Sequence, residues 1–234
     1  MDLTTAKVII TGGTSGIGYA MAKDLKAKGA QVLISGRDQI KIDATIKELG
    51  VLGFKADMKS EDEIKALINY AKEKMGGFNV LINNAGMGIF SELTETSTED
   101  FKEVWEVNTL GLFIAGREAA KHFKEQQYGN IINISSSSGV KGHAKGSAYC
   151  ASKFAVSGLT DVWRAELRPF NVRVMQINPS EVVTEFFSKM GMEQKVDDNK
   201  LRASEIAHVA TSMLAMNDVG FITDAAVWAT NPWK

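Results

Sequence analysis

Residues 6–18 read Ala-Lys-Val-Ile-Ile-Thr-Gly-Gly-Thr-Ser-Gly-Ile-Gly, and the reading of this stretch decides the fold. Ala6 to Thr11 is a short apolar run closed by glycine, the pattern of a buried strand. Gly12, Gly13, Gly16 and Gly18 follow, and Ile17, Met21 and Leu25 then recur every four residues, as on a helix face. Strand, glycine-rich turn and helix together aim unpaired backbone N–H groups and the positive helix end at a phosphate. An ordinary turn between strand and helix needs one glycine, and this one has four within seven residues. The spacing Gly12, Gly16, Gly18 differs from the common G-x-G-x-x-G dinucleotide fingerprint. Phosphate binding at this turn is the expectation.

Outward from this turn the alternation of strand and helix continues. Strands are expected at 30–35, 53–58, 79–82, 129–135, 172–178 and 221–229. Helices are expected at 39–49, after the capping box Ser60-x-x-Glu63, at 98–125, 147–168 and 203–216. Short joints between alternating elements imply an α/β fold with one parallel, doubly wound sheet. The long helix at 98–125 should turn Phe101, Val104, Trp105 and Leu112 inward. Arg168-Pro169 should end the helix before it. With no repeat, low-complexity segment or linker, residues 1–234 read as a single domain. Residues 185–200, polar and weakly periodic, read as a substrate lid, with Phe186, Phe187, Met190 and Met192 able to line an apolar pocket. The apolar tail from Ala226 to Trp233 is expected between subunits.

At 234 residues the chain can bury a substantial core, and its 44% apolar and 24% charged content is that of a globular protein. A formal charge of −1 without a basic block speaks against nucleic acid as a partner. No apolar run approaches the roughly eighteen residues a spanning helix needs, so no membrane partner is expected. The start runs from Met1 into a strand by residue 6, leaving no room for a signal peptide, and Cys150 is the single cysteine. Together these favour the cytoplasm. Cys150 itself reads as a packed core thiol. No metal site is expected.

About twenty residues past the glycine turn, a dinucleotide's ribose would meet the end of the second strand. An acid there would suit NAD. This chain has Gly36 followed by Arg37, and a guanidinium suits a 2′-phosphate, so NADP(H) is preferred. Asp38 then reads as the cap of the helix at 39–49.

Three of the four tyrosines, Tyr19, Tyr70 and Tyr149, carry a lysine four positions on. One helical turn apart, phenol and ammonium share a face. A phenol titrates near ~10 in water, and a nearby ammonium lowers that value toward neutral pH. Such a pair can exchange a proton with a carbonyl/alcohol couple. Only Tyr149 follows a buried-looking strand, Gly129 to Ser135, that ends in a serine cluster where open α/β sheets hold their ligands. Tyr149 and Lys153 are therefore the candidate pair. Asn83 and Asn84, after the fourth strand, could knit loops or face a ligand. Asn108, on or beside an apolar helix face, suits either a buried polar task or a satisfied core amide. His143 and Lys145 precede Tyr149 in a loop and read as solvated, with a polar substrate as their alternative contact.

Five motifs in order, Thr11-Gly12-x-x-x-Gly16-x-Gly18, Asp57, Asn83-Asn84-Ala85-Gly86, Ser136/Tyr149/Lys153, and Pro179 to Thr184, span the chain. In this the sequence resembles the short-chain dehydrogenase/reductase family, most of all its 3-oxoacyl-acyl-carrier-protein reductases. The resemblance implies a Rossmann sheet of about seven strands and a nicotinamide cofactor. By it, Tyr149 is the acid/base, Lys153 lowers its pKa and holds the nicotinamide ribose, Ser136 bonds the substrate oxygen, and Asn108 positions a relaying water. It also assigns cofactor contacts to Gly12, Thr14, Ser15, Gly16, Ile17, Gly18, Arg37, Asp57, Met58, Asn84, Ala85, Gly86, Pro179, Val182 and Thr184. Thr14 and Ser15 stand where some NADP-preferring members have a basic residue, which keeps NAD(H) as the alternative. Ser180 replaces the family's usual glycine. The implied substrate is a small carbonyl or secondary alcohol, or an acyl thioester; Gln127 and Phe170 stand where the reductases carry basic carrier-protein contacts, with Lys124 and Arg168 nearby. The implied assembly is a homodimer or homotetramer through the helices at 98–125 and 147–168.

Overall fold

The computed structural model describes residues 1–188 and 199–231. Among them, parallel strands β1 (Lys7–Ile10), β2 (Gln31–Gly36), β3 (Leu52–Lys55), β4 (Val80–Asn83), β5 (Gly129–Ile134), β6 (Val172–Pro179) and β9 (Asp224–Val227) form one seven-stranded sheet. Its order is β3-β2-β1-β4-β5-β6-β9. A separate two-stranded ribbon pairs β7 (Val182–Val183) with β8 (Leu201–Arg202). The helices are α1 (Gly16–Ala27), α2 (Gln39–Leu49), α3 (Glu61–Met75), α4 (Thr98–Trp105), α5 (Leu112–Gln126), α6 (Ser147–Leu167), α7 (Glu185–Ser188) and α8 (Ala203–Ala215). None of the described helices is long and apolar enough to cross a membrane.

Alternate residues of each strand face opposite layers, as the two-residue period requires. Val8, Ile10, Val32, Ile34, Val80 and Ile82 pack against Met21 and Leu25 of α1 and Ile206 and Leu214 of α8. Ile9, Leu33, Leu81, Ile131 and Val174 pack on the other side against Ile64 and Leu67 of α3, Phe123 of α5 and Trp163 of α6. Both faces are therefore dry, and the strands read as continuous apolar runs. Each fully buried Ile or Leu contributes ~1.5–3 kcal/mol of transfer free energy. The strand order reverses between β1 and β4, which opens a crevice at their carboxyl ends.

The helix starts follow their caps. Asp38 accepts from the N–H groups of Ile40 (2.9 Å) and Lys41 (3.2 Å), as expected. The box at Ser60 is half formed: Ser60 accepts from Glu63 N (3.3 Å), but the Glu63 carboxylate accepts instead from Asp57 N (2.9 Å). That bond fastens the loop after β3. α6 ends at Leu167, before Pro169, as the proline requires.

The expected helix at 98–125 is interrupted. α4 and α5 are joined by one π-helical turn, Glu106–Gly111, whose wider winding turns Asn108 fully inward. Val104 and Leu112 face the core as expected, but Phe101 and Trp105 are each 40% exposed. They lie one turn apart on the flank of α4, where an apolar stripe is indistinguishable in sequence from a core face. The last strand is shorter than expected, and Trp228 is exposed. Phe187's side chain, Met190, Met192, most of the expected lid, and residues 232–234 lie outside the described residues.

Candidate active site

A cleft of about 750 Å³ opens at the carboxyl ends of β1, β4 and β5, a size typical of ligand sites. Its floor begins with the glycine turn. Gly12 has a φ of +65°, and a Cβ there would stand 2.9 Å from the Ala85 Cα, so glycine is required. Ser15 is the N-cap residue of α1, yet its side chain makes no capping hydrogen bond. The first turn of α1 thus aims its N–H groups into the cleft.

The loop after β4 is stitched to this turn. Thr11 Oγ1 accepts from Asn84 N (3.0 Å) and Ala85 N (3.1 Å), while Asn84 Nδ2 donates to the carbonyls of Thr11 and Gly12, both at 3.0 Å. The Asn84 side chain therefore knits loops at the cleft wall. Asn83 Nδ2 donates to Asn133 Oδ1 (2.9 Å) inside the sheet. Gly18 does not line the cleft; a Cβ there would overlap the Gly12 carbonyl and the Asn84 amide, so its role is close packing.

Thr14, Ser15, Gly16, Ile17, Arg37, Asp57, Met58, Asn84, Ala85, Gly86, Pro179, Val182 and Thr184 all lie on the cleft wall with Gly12. Arg37 stands exposed at the rim and has no ion pair among the described residues. Asp57 Oδ1 accepts from Lys59 N (2.9 Å), which fixes the carboxylate at the turn after β3. Thr184 Oγ1 accepts from Phe186 N (3.3 Å), and a Cβ on Gly16 would touch the Thr184 side chain at 3.4 Å. Ser180 N donates to Val227 O (2.8 Å), joining the loop after β6 to β9. The glycine cradle, the N-terminal end of α1 and the Arg37 guanidinium, which has no ion pair among the described residues, fit a phosphorylated dinucleotide along this wall.

Ser136, Tyr149 and Lys153 converge on the same cleft. Ser136 caps a short turn, accepting from Ser138 N (3.1 Å). Lys153 is buried; its Nζ donates to Ile134 O at the end of β5 (2.9 Å) and lies 5.8 Å from the Tyr149 ring centroid. Burial pushes the Tyr149 phenol up to about 12, partly offset by the Ser136 hydroxyl, with Cys150 adding a small upward push. Burial alone pushes the Lys153 ammonium down to about 8. Desolvation is the first cause of both shifts, and the Lys153 ammonium is not among the causes acting on the phenol in the protein without its cofactor.

The other tyrosine–lysine pairs are elsewhere. Tyr19 bonds Glu48, and Tyr70 packs on Phe54 with ring centroids 5.0 Å apart. Asn108 does not reach the cleft wall. Its Oδ1 accepts from Met87 N (2.8 Å), and its Nδ2 donates to Met87 O (2.8 Å) and Ser152 Oγ (3.0 Å). It clamps the residue after Gly86. Cys150 is buried, as a packed thiol should be. His143 does line the cleft, beside Phe90, a residue the sequence reading missed. The only sequence signal for Phe90 is an aromatic residue four positions past Gly86.

Residues 6–195 match the model of a family described as short chain dehydrogenase. A 3alpha-hydroxysteroid dehydrogenase of Mediterraneibacter gnavus is 34% identical over 197 residues, covering 81% of this chain and 79% of the relative. An alcohol dehydrogenase of Thermococcus sibiricus, solved in complex with 5-hydroxy-NADP, superposes with a TM-score of 0.85 at 25% identity, covering 95% of this chain and 96% of the other. An actinorhodin polyketide ketoreductase with NADPH superposes at 0.86 and 27% identity, covering 95% of each chain. With the fold, the glycine turn and the Ser136/Tyr149/Lys153 set in one cleft, the chain belongs to the short-chain dehydrogenase/reductase family. It is an oxidoreductase on an NAD(P)-binding fold.

Proposed function

We propose that the protein interconverts a carbonyl compound and a secondary alcohol with NADP(H), Tyr149 acting as the acid/base. The carrying observation is that Ser136, Tyr149 and Lys153 meet in the cleft that also holds the glycine turn and Gly86. The cofactor supplies or accepts the hydride. Ser136 orients the substrate oxygen toward the phenol. Tyr149, near 12, is protonated at neutral pH, the form that donates to a carbonyl oxygen. Lys153, near 8 and anchored on Ile134 O, holds a loosely bound proton beside it and faces the Gly86 wall. Asn108 acts through Met87, fixing the loop that carries Gly86. Tyr149→Phe should abolish carbonyl-dependent NADPH oxidation while cofactor still binds; retained turnover would refute the mechanism.

NADP over NAD rests on Arg37, exposed at the rim without an ion pair among the described residues, while the neighbouring Asp38 carboxylate is engaged at the start of α2. Reduction of an acyl thioester has no such support, since Lys124 stacks over Phe170 at 4.4 Å and neither residue lines the cleft. A homo-oligomer is favoured by an apolar strip, Phe101, Trp105 and Leu110 with Phe154 and Val162 of α6, each 40–52% exposed. Sedimentation should give a dimer or larger, and Trp105→Glu should shift it toward monomer; a monomeric wild type would remove this reading.

A further inference from the structure

We infer that the substrate end of the cleft selects a flat, uncharged ring ketone or its alcohol, with Phe90 and His143 as specificity-determining residues. The inference rests on the carbonyl/alcohol reading and narrows its substrate.

Aromatic rings crowd around the phenol. Phe90 lies 5.2 Å from the Tyr149 ring at 59°, and Phe186 lies 5.8 Å from it at 53°. Phe90 also sits 5.8 Å from the His143 ring at 32°. These rings are held in place by the backbone. Ser91 bridges to Gly146, its N–H donating to Lys145 O (3.0 Å), and this seats Phe90 against the loop that precedes α6. Lys145 takes a φ of +64° in this bridge, a conformation a side chain adopts only where its surroundings enforce it. His143 is pinned through both ring nitrogens, Nε2 to Ser138 Oγ (3.2 Å) and Nδ1 to Ala144 O (2.9 Å). It therefore offers ring surface rather than a free polar atom. Because Ser138 N donates to Ser136 Oγ, that surface is tied to the serine beside the phenol.

Charge at this end is matched. Lys145 faces Glu92 (3.7 Å), Glu181 faces Lys200 (2.7 Å) and Glu185 faces Lys41 (3.4 Å). The remaining cation at this end, Lys153, is held on Ile134 O and faces the Gly86 wall of the cofactor side, so a substrate carboxylate or phosphate beside Phe90 and His143 would lose hydration without gaining an unmatched cation of its own among the described residues. A flat apolar ring loses little hydration and gains aromatic contact, worth roughly 2- to 12-fold in affinity per ring pair.

Calorimetric titration of the protein saturated with NADP⁺ tests this, with 1-tetralol against 3-hydroxybutyryl-N-acetylcysteamine. Tetralol should bind at least ten-fold more tightly. Phe90→Leu and His143→Leu should each weaken tetralol roughly 2- to 12-fold and leave the thioester within two-fold. His143→Phe, which keeps a ring, should retain tetralol binding and guards against misfolding of the leucine variant. Equal or tighter thioester binding, or variants that weaken both compounds alike, would overturn the inference. Tetralol bound but never turned over would count against the carbonyl/alcohol reading and leave the ring preference standing. Thioester turnover without tetralol binding would do the reverse.

Discussion

Replacing Lys153 with methionine should make the unliganded protein more stable at neutral pH while abolishing its activity. Burial lowers this lysine from 10.5 to about 8. At 1.36 kcal/mol per pKa unit, keeping it charged in the folded state costs ~3 kcal/mol at pH 7. Because the folded value is depressed, the folded state binds fewer protons than the unfolded chain between about 8 and 10.5. The lysine's contribution to stability therefore rises with pH across that window, and the cost is constant below it. Methionine keeps the unbranched stem and removes the charge, but leaves Ile134 O without its 2.9 Å partner, a loss of ~1–2 kcal/mol. The variant should gain ~1–2 kcal/mol at pH 7. The advantage should shrink to about zero by pH 9.5, before Tyr149 enters its own window, where stability falls as pH rises from 10 to about 12. Urea unfolding of both proteins from pH 7 to 9.5, without cofactor, measures the difference. A wild-type-minus-variant stability that does not change with pH would refute a buried, desolvated ammonium.

Arg37→Ala should weaken NADP binding by roughly ten-fold or more while leaving NAD binding nearly unchanged, a charge-assisted pair to phosphate being worth ~1.5–3 kcal/mol; fluorescence titration with both cofactors reads it, and equal NADP affinity in the two proteins would remove the arginine argument. Asn108→Ala should cost ~1–3 kcal/mol of stability by stranding the buried polar groups of Met87. It should also raise the cofactor's Kd more than Ser152→Ala does, because Asn108 bonds both backbone groups of Met87, next to Gly86, whereas Ser152 bonds Asn108 and not the loop; equal effects in both variants would reduce Asn108 to a core amide.

The sheet was legible because strands dry on both faces leave unbroken apolar runs, as in Val8-Ile9-Ile10 or Val32-Leu33-Ile34. The cleft was legible because the glycine turn and the Tyr149 pair sit at strand ends, where topology alone brings them together. The interruption at Glu106–Gly111 was not legible, since the π turn is stabilised by Met87 and Ser152, partners 21 and 44 residues away. Phe101 and Trp105 misled for a related reason: helical periodicity says that a stripe is apolar, not what covers it. Phe90 and His143 meet only through the Ser91–Gly146 bridge between two loops, and neither loop carries a periodic signal. The rise of the Tyr149 phenol was invisible because a one-turn spacing to lysine states proximity and not burial.

The central claim is that the Tyr149 phenol stands at the reacting carbon of a bound carbonyl substrate. A crystal structure of the ternary complex with NADP⁺ and a bound alcohol measures this directly. The account predicts the Tyr149 and Ser136 hydroxyls both within hydrogen-bond distance of the alcohol oxygen, with Lys153 Nζ reaching the nicotinamide ribose. An alcohol oxygen bonded elsewhere, with Tyr149 turned from the nicotinamide ring, would contradict it.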